Sequence, residues 1–275
     1  MTGTFRRYPL AAFFILAYLL SWIILIPLML SQRGIGINLP FDLFFLLGGW
    51  GPTVAAVLIV WLTAGKLAVK TFLARALQWK VGVRWYFVVL FLPSLTGLGA
   101  ILLHVLLGGE PPQFLIREYG FMLIPIILVG LFTGPISEEF GWRGFAQPLL
   151  QNRVNPIFTS LIIGALWGLW HIPLFYTPGT SQVEMNLFWF TINGIALAFL
   201  FTWIYNNTGG SILMAILFHA AINLTPAFIP TIPFQGIAER VYYFQIGLNW
   251  LIALLILPSL IKSKNPRIEM PKRNL

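Results

Sequence analysis

Cysteine is absent from the 275 residues, and charge is scarce: Asp, Glu, Lys and Arg make up only 9% of the chain. The missing thiols exclude a disulfide framework, a zinc–thiolate site and a cysteine nucleophile. Any metal ligand or catalytic group must come from 3 His and 8 Asp+Glu, with Ser, Thr, Tyr and Asn beside them. Soluble domains carry about 25% charged and about 45–50% apolar residues. Here 58% are hydrophobic, more than a soluble fold of this size can hide, because the buried fraction rises slowly with chain length. The bilayer is the natural solvent. The expected fold class is therefore an all-α, polytopic membrane protein.

Apolar stretches of about 20 residues suit a membrane crossing. Eight candidate spans run over 9–31, 41–63, 84–107, 121–150, 157–176, 185–205, 211–229 and 242–261. Arg6 and Arg7 precede the first, which is too long for a signal-peptide core and lacks a small-residue cleavage site, so it is read as an uncleaved helix. The net charge of +9 does not indicate nucleic acid, because the basic residues sit in short segments beside apolar spans. With the N-terminus inside and eight alternating spans, only Arg33, Arg117 and Arg240 of the 17 basic residues fall outside. Arg143 is counted among the inside ones. The positive-inside rule then puts both termini in the cytoplasm of an integral, cell-membrane protein. Gly130-x-x-x-Gly134 and Gly164-x-x-x-Gly168 are candidate close-packing motifs between helices. With no long linker or repeat, residues 1–275 read as a single membrane domain.

Ionisable groups inside such spans are costly, about 2.5–3.5 kcal/mol each on insertion scales, and so mark function. Glu138 and Glu139 are adjacent, and consecutive helical residues point about 100° apart, so they cannot share one direction. Glu139 and Arg143 are i,i+4 neighbours that can pair, leaving Glu138 to face a cavity. A blander reading makes Ser137 the cap of a helix restarted after Gly134-Pro135, with acids in its first turn. Two histidines weigh against it. His171 lies in the fifth span; His219 lies in the seventh and shares a face with Asn223, four residues on. Counted from the assumed cytoplasmic ends at 1.5 Å per residue, Glu138, His171 and His219 lie roughly 18, 21 and 12 Å deep, compatible with one intramembrane polar cavity. They can meet only if the helix carrying Glu138 continues to near Leu150. His104 has no partner motif and reads as structural.

The ordered motifs Glu138-Glu139-x-x-x-Arg143, Trp167-x-x-x-His171 and His219-x-x-x-Asn223 resemble those of the CAAX-protease and bacteriocin-processing (CPBP, or Abi) intramembrane proteases, which include the Rce1-type prenyl-protein proteases. The resemblance covers 138–223 within a core of 121–230, with Trp167 standing where the family usually has Phe, a change read as conservative in a packing position. It implies an endopeptidase in which Glu138 activates water, His171 holds or polarises it, His219 and Asn223 stabilise the oxyanion, and Glu139 and Arg143 support the site. Glu138, His171 and His219 are also a possible ligand set for a divalent metal such as zinc; the same residues can work without one, and the zincin pattern H-E-x-x-H is absent. The implied partners are the lipid bilayer and a peptide or membrane-protein substrate, prenylated for some relatives. The competing readings are a transporter using the polar cluster for ion coupling and a non-catalytic immunity or scaffold protein.

Overall fold

The computed structural model describes residues 2–114, 123–233 and 238–263. Its elements are α1 (Thr2–Arg7), α2 (Pro9–Gln32), α3 (Phe41–Gly49), α4 (Gly51–Ala64), α5 (Lys66–Ala74), α6 (Val83–Leu106), α7 (Leu123–Phe132) and α8 (Pro135–Glu139). A π-helical turn (Phe140–Ala146) joins α8 to α9 (Gln147–Gln151). Then follow α10 (Pro156–Trp170), α11 (Leu187–Asn207), α12 (Ile212–Phe228) and α13 (Glu239–Lys262). The described residues are helical or irregular throughout.

Among the described residues, five helices are long and apolar enough to cross a membrane: α2, α6, α10 with the 3-10 turn that follows it, α11 and α13. A sixth crossing results if α3 and α4, bent by 42° at Trp50, count as one. Among the described residues the expected total of eight is thus not reached. The segment expected to span 121–150 is interrupted at Thr133–Gly134 and changes hydrogen-bond register at the π turn, and α12 has only 17 residues. From Pro135 to Gln151, however, the helical path is unbroken, as the expected meeting of Glu138 with the histidines requires.

Local chemistry sets these boundaries. Asn155 caps α10 by accepting from Phe158 N, Asn186 caps α11 by accepting from Phe188 N and Trp189 N, and Ser211 caps α12 by accepting from Met214 N. Pro135 and Pro156 open their helices, where a missing N–H costs nothing. Gly164 and Gly168 do form a close helix crossing: a methyl group added to Gly164 would lie 2.5 Å from Ile195 Cα, and one added to Gly168 3.0 Å from Thr191 Cα. Gly130 meets only Leu224 Cδ2, at 4.0 Å, so the first glycine motif is not such a crossing.

The ends of the bundle sort the basic residues. Arg6 Nη2 donates to Thr63 O; Arg75 donates to Gly144 O, Tyr205 Oη and Gly210 O; Gln78 donates to Thr208 O; and Asn206 Nδ2 donates to Ser263 Oγ. The N-terminal arginine, the basic 66–84 segment and the C-terminal end of α13 therefore share one end of the bundle. Arg33 Nε donates to Tyr176 O, and Arg240 Nε to His104 Nδ1, away from that end. His104 also contacts Glu110 O through Nε2 at 3.0 Å, the structural role expected of it. Arg143 departs from the count of inside residues: it is wholly buried in the bundle. Arg117, Lys264, Arg267, Lys272 and Arg273 lie outside the described residues.

The absence of native cysteine makes sidedness testable. In intact cells a membrane-impermeant maleimide should label Ile37→Cys and leave Lys80→Cys unlabelled until the membrane is permeabilised; the reverse pattern would invert the orientation.

Candidate active site

Buried charges of the site pair with one another, although Glu139 Oε2 and Arg143 Nε and Nη2 have no hydrogen-bond partner among the described residues. Arg143 Nη1 donates to Glu139 Oε1 at 2.9 Å, with both side chains 0% exposed. His219 Nδ1 meets the same oxygen at 2.7 Å. The Arg143 guanidinium lies 3.6 Å from the Phe201 ring centroid and 5.3 Å from that of Trp167, so two aromatic faces cover the charge where hydrogen-bond acceptors are lacking. The π turn that carries Arg143 is wedged between elements. Gly141 abuts the Pro52 backbone of α4 and Gly144 abuts Phe72 and Ile212, positions where added methyl groups would lie 2.6 Å and 2.9 Å from their nearest neighbours. Single π turns inside helices recur at functional sites.

Glu138 points elsewhere. Its Oε2 accepts from Trp167 Nε1 at 2.6 Å. It lines a cavity of about 430 Å³ together with His171, His219 and Asn223. Gly134 shows how closely these groups converge. A methyl group built on its Cα would lie 2.8 Å from Asn223 Nδ2, 3.3 Å from His219 Nε2 and 3.6 Å from Glu138 Oε1. Three functional groups from α8 and α12 thus border one small space that exists because residue 134 has no side chain. Ser137, the cap in the blander reading, instead donates its hydroxyl to Gly134 O at 3.2 Å, and the helix makes no side-chain cap bond.

His171 ends α10. Its Nδ1 lies 2.7 Å from Trp167 O, and a carbonyl can only accept, so Nδ1 carries the proton and neutral His171 keeps a lone pair on Nε2. That helix end is pinned to α2: Tyr18 Oη donates to Leu166 O at 2.5 Å and Trp22 Nε1 donates to Trp170 O at 2.9 Å. Trp167 consequently holds Glu138 through its indole and His171 through its carbonyl, and its ring packs edge-on against His219 at 5.6 Å. The conservative packing substitution expected at this position is also a hydrogen-bond donor, which Phe is not.

All six singled-out residues therefore lie together. Glu138, Glu139, Arg143, His171 and His219 are buried, whereas Asn223 is more open on the cavity wall. Trp167 as a donor and Gly134 as the vacant floor were not read as site residues. An indole four residues before a membrane histidine was the available signal for the first; the second had been grouped with the packing glycines. Among the described residues, no three His, Asp or Glu side chains gather closely enough to hold a metal ion. The set Glu138, His171 and His219 does not fit a ligand shell as it stands, and no step below runs through a metal.

Known proteins resemble this chain. A family model described as Rce1-like, type II CAAX prenyl endopeptidase, matches residues 120–225. Over these residues the chain is similar to the Rce1-like family. It is 26% identical over 227 residues to a CAAX prenyl protease 2 of Methanococcus maripaludis, a match covering 79% of this chain and 81% of that protein. It is also 26% identical over 106 residues to lysostaphin resistance protein A of Staphylococcus haemolyticus, covering 38% of this chain and 28% of that one.

Two variants separate the site's space from its hydrogen bonds. Gly134→Ala fills the convergence point and should abolish activity while leaving thermal unfolding in detergent nearly unchanged. Trp167→Phe retains the ring but loses the bond to the carboxyl group. Such bonds to charged groups contribute about 1.5–3 kcal/mol, so the rate should fall about 10- to 100-fold. Arg143→Met leaves a buried carboxylate with one donor fewer and should cost about 3–5 kcal/mol of stability, partly recovered when Glu139→Gln is added; the same unfolding assay reads both.

Proposed function

We propose that the chain is an intramembrane endopeptidase that hydrolyses a peptide bond of a membrane-associated or lipid-modified substrate with water activated by Glu138 and His171. The observation that carries this reading is the convergence of Glu138 Oε1, His219 Nε2 and Asn223 Nδ2 on the space beside Gly134. A scissile carbonyl seated there has a base on one side and donors on the other.

In this mechanism a water molecule lies between Glu138 and the lone pair of His171 Nε2. Glu138 takes one water proton as the oxygen attacks the carbonyl carbon. The carbonyl π pair moves onto oxygen, and the resulting oxyanion accepts from Asn223 Nδ2 and from His219 Nε2. His219 can donate there only with both nitrogens protonated, in which form its Nδ1 contact with Glu139 is a second ion pair. Collapse of the tetrahedral intermediate breaks the C–N bond, and the proton held by Glu138 passes to the departing amine. Arg143 and Glu139 touch no reacting atom; they fix the His219 ring. The family match and the likeness to a CAAX prenyl protease 2 support a substrate presented by a lipid, which the largely apolar cavity suits. The cytoplasmic placement of both termini belongs to the same proposal.

A resistance factor acting without hydrolysis is the second reading, favoured by the likeness to lysostaphin resistance protein A. Glu138→Gln discriminates the two. Glutamine still accepts from Trp167 but is no base, and general-base catalysis contributes about 10²–10⁴-fold. Cleavage of a farnesylated peptide by the purified protein should fall at least 100-fold, with unchanged expression and insertion; full activity would overturn the endopeptidase reading. Any protection that survives this change favours the second reading. A chelator should leave the rate unaltered. Loss on chelation, restored by zinc, would instead assign Glu138, His171 and His219 to a metal.

A further inference from the structure

The cavity has a second polar wall that the mechanism leaves unused. Tyr242, Gln245 and Asn249 recur at i, i+3 and i+7 on α13, one face of a helix, and all three line the cavity. Phe190, Asn193 and Leu197 line it from α11 with the same spacing. Phe190 packs against His171 with ring centroids 5.1 Å apart. Asn193 follows one turn later, roughly 4.5 Å along the helix axis, so this wall adjoins the water-activating pair.

The polar groups here are oriented but not used up. Asn249 Nδ2 donates to Asn193 Oδ1 at 2.9 Å. That bond fixes both amides and leaves Asn193 Nδ2 as a donor and Asn249 Oδ1 as an acceptor. Tyr242 is 4% exposed, yet among the described residues its hydroxyl has no hydrogen-bond partner. A bridge that served only to join two membrane helices would be complete with the Asn–Asn bond; it does not account for a buried, unpaired phenol and a glutamine on the same face. Among the described residues no Lys or Arg lines the cavity, so the surface suits a neutral polar ligand rather than a carboxylate or phosphate.

The main chain of a substrate is such a ligand. Each residue brings one N–H and one C=O, and at membrane depth these groups must find protein partners. An extended residue spans about 3.3–3.6 Å, so a wall one helical turn from Phe190 is within reach of the residues flanking the scissile bond. We propose that Asn193, Asn249 and Tyr242, with Gln245 beside them, form a subsite that hydrogen-bonds the main-chain amides of the substrate next to the bond that is cut. This rests on the endopeptidase reading and deepens it: specificity here is for extended peptide backbone and is indifferent to side-chain identity.

The test uses the full chain in detergent with a farnesylated peptide as probe. Cleavage kinetics are measured for the wild type, Tyr242→Phe and the double variant Asn193→Leu/Asn249→Leu, and binding of the same peptide is measured on the Glu138→Gln background. One neutral hydrogen bond is worth about 0.5–1.5 kcal/mol, so Tyr242→Phe should raise KM and the dissociation constant about 3- to 10-fold with kcat largely kept. The double variant should raise both more. Since the Tyr242 hydroxyl has no partner among the described residues, Tyr242→Phe should not lower the unfolding temperature, and it decides the matter alone if the double variant does not fold. Unchanged KM and binding in the folded variants, or a loss confined to kcat, would overturn the subsite. Full cleavage by Glu138→Gln would overturn the endopeptidase reading instead, and a probe neither bound nor cleaved by the wild type counts against both.

Discussion

A guanidinium and a carboxylate buried in a lipid-facing bundle must bring their partners with them, because water is not there to supply them. Arg143 and Glu139 meet that constraint at 0% exposure, and much of the surrounding structure follows from it. The pair shares one Glu139 oxygen with His219 on α12. The remaining guanidinium surface is closed by Phe201 on α11 and Trp167 on α10. Three further helices, α10, α11 and α12, are thereby tied to one ion pair, and each of the three borders the cavity.

The site is built where helices are interrupted. Gly134 precedes a helix restart, His171 stands at a helix end, and Arg143 lies in a π turn. Interruptions free backbone groups that a regular helix would consume, and in a bilayer each needs a substitute. Tyr18 and Trp22 supply donors to the carbonyls of Leu166 and Trp170, and Arg75 supplies one to Gly144. The broken geometry is held by side chains on α2 and in the turn that follows α5, none of which lines the cavity. It allows groups from successive helices to face one another at short range, which parallel, unbroken spans would keep a full helix diameter apart.

The relations readable in the sequence were those of fixed local spacing. The Glu139–Arg143 pair, the shared face of His219 and Asn223, and the isolation of His104 from the cluster all follow from positions three or four residues apart or from the lack of a partner motif. The three caps and two prolines that delimit α8, α10, α11 and α12 are likewise local features. What failed depended on distant partners. Hydropathy alone made 121–150 one span, because it does not register a break at Thr133–Gly134 or a change of hydrogen-bond register after Glu139. Gly130 and Gly134 looked like Gly164 and Gly168, yet only the latter pair meets a neighbouring backbone; which glycine packs and which leaves room is decided by what lies opposite. Trp167 passed as a packing residue because its function lies in the direction of one N–H.

Adjacent acids illustrate how the same residue type is given two fates. Both Glu138 and Glu139 are buried, and a rotation of about 100° separates them. Glu139 faces inward, where Arg143 and His219 both reach one oxygen. It is neutralised by contact and has no room for a substrate. Glu138 faces the cavity with a single donor on Oε2, the Trp167 indole, and its Oε1 borders the space below Gly134. Exchanging their surroundings would lose both functions: an ion-paired Glu138 would be a poor base, and an unpaired Glu139 would be an uncompensated charge in the packed interior. The helix therefore needs two consecutive acids rather than one, because a single carboxylate cannot both hold the His219 ring against Arg143 and stay free to accept a proton from water.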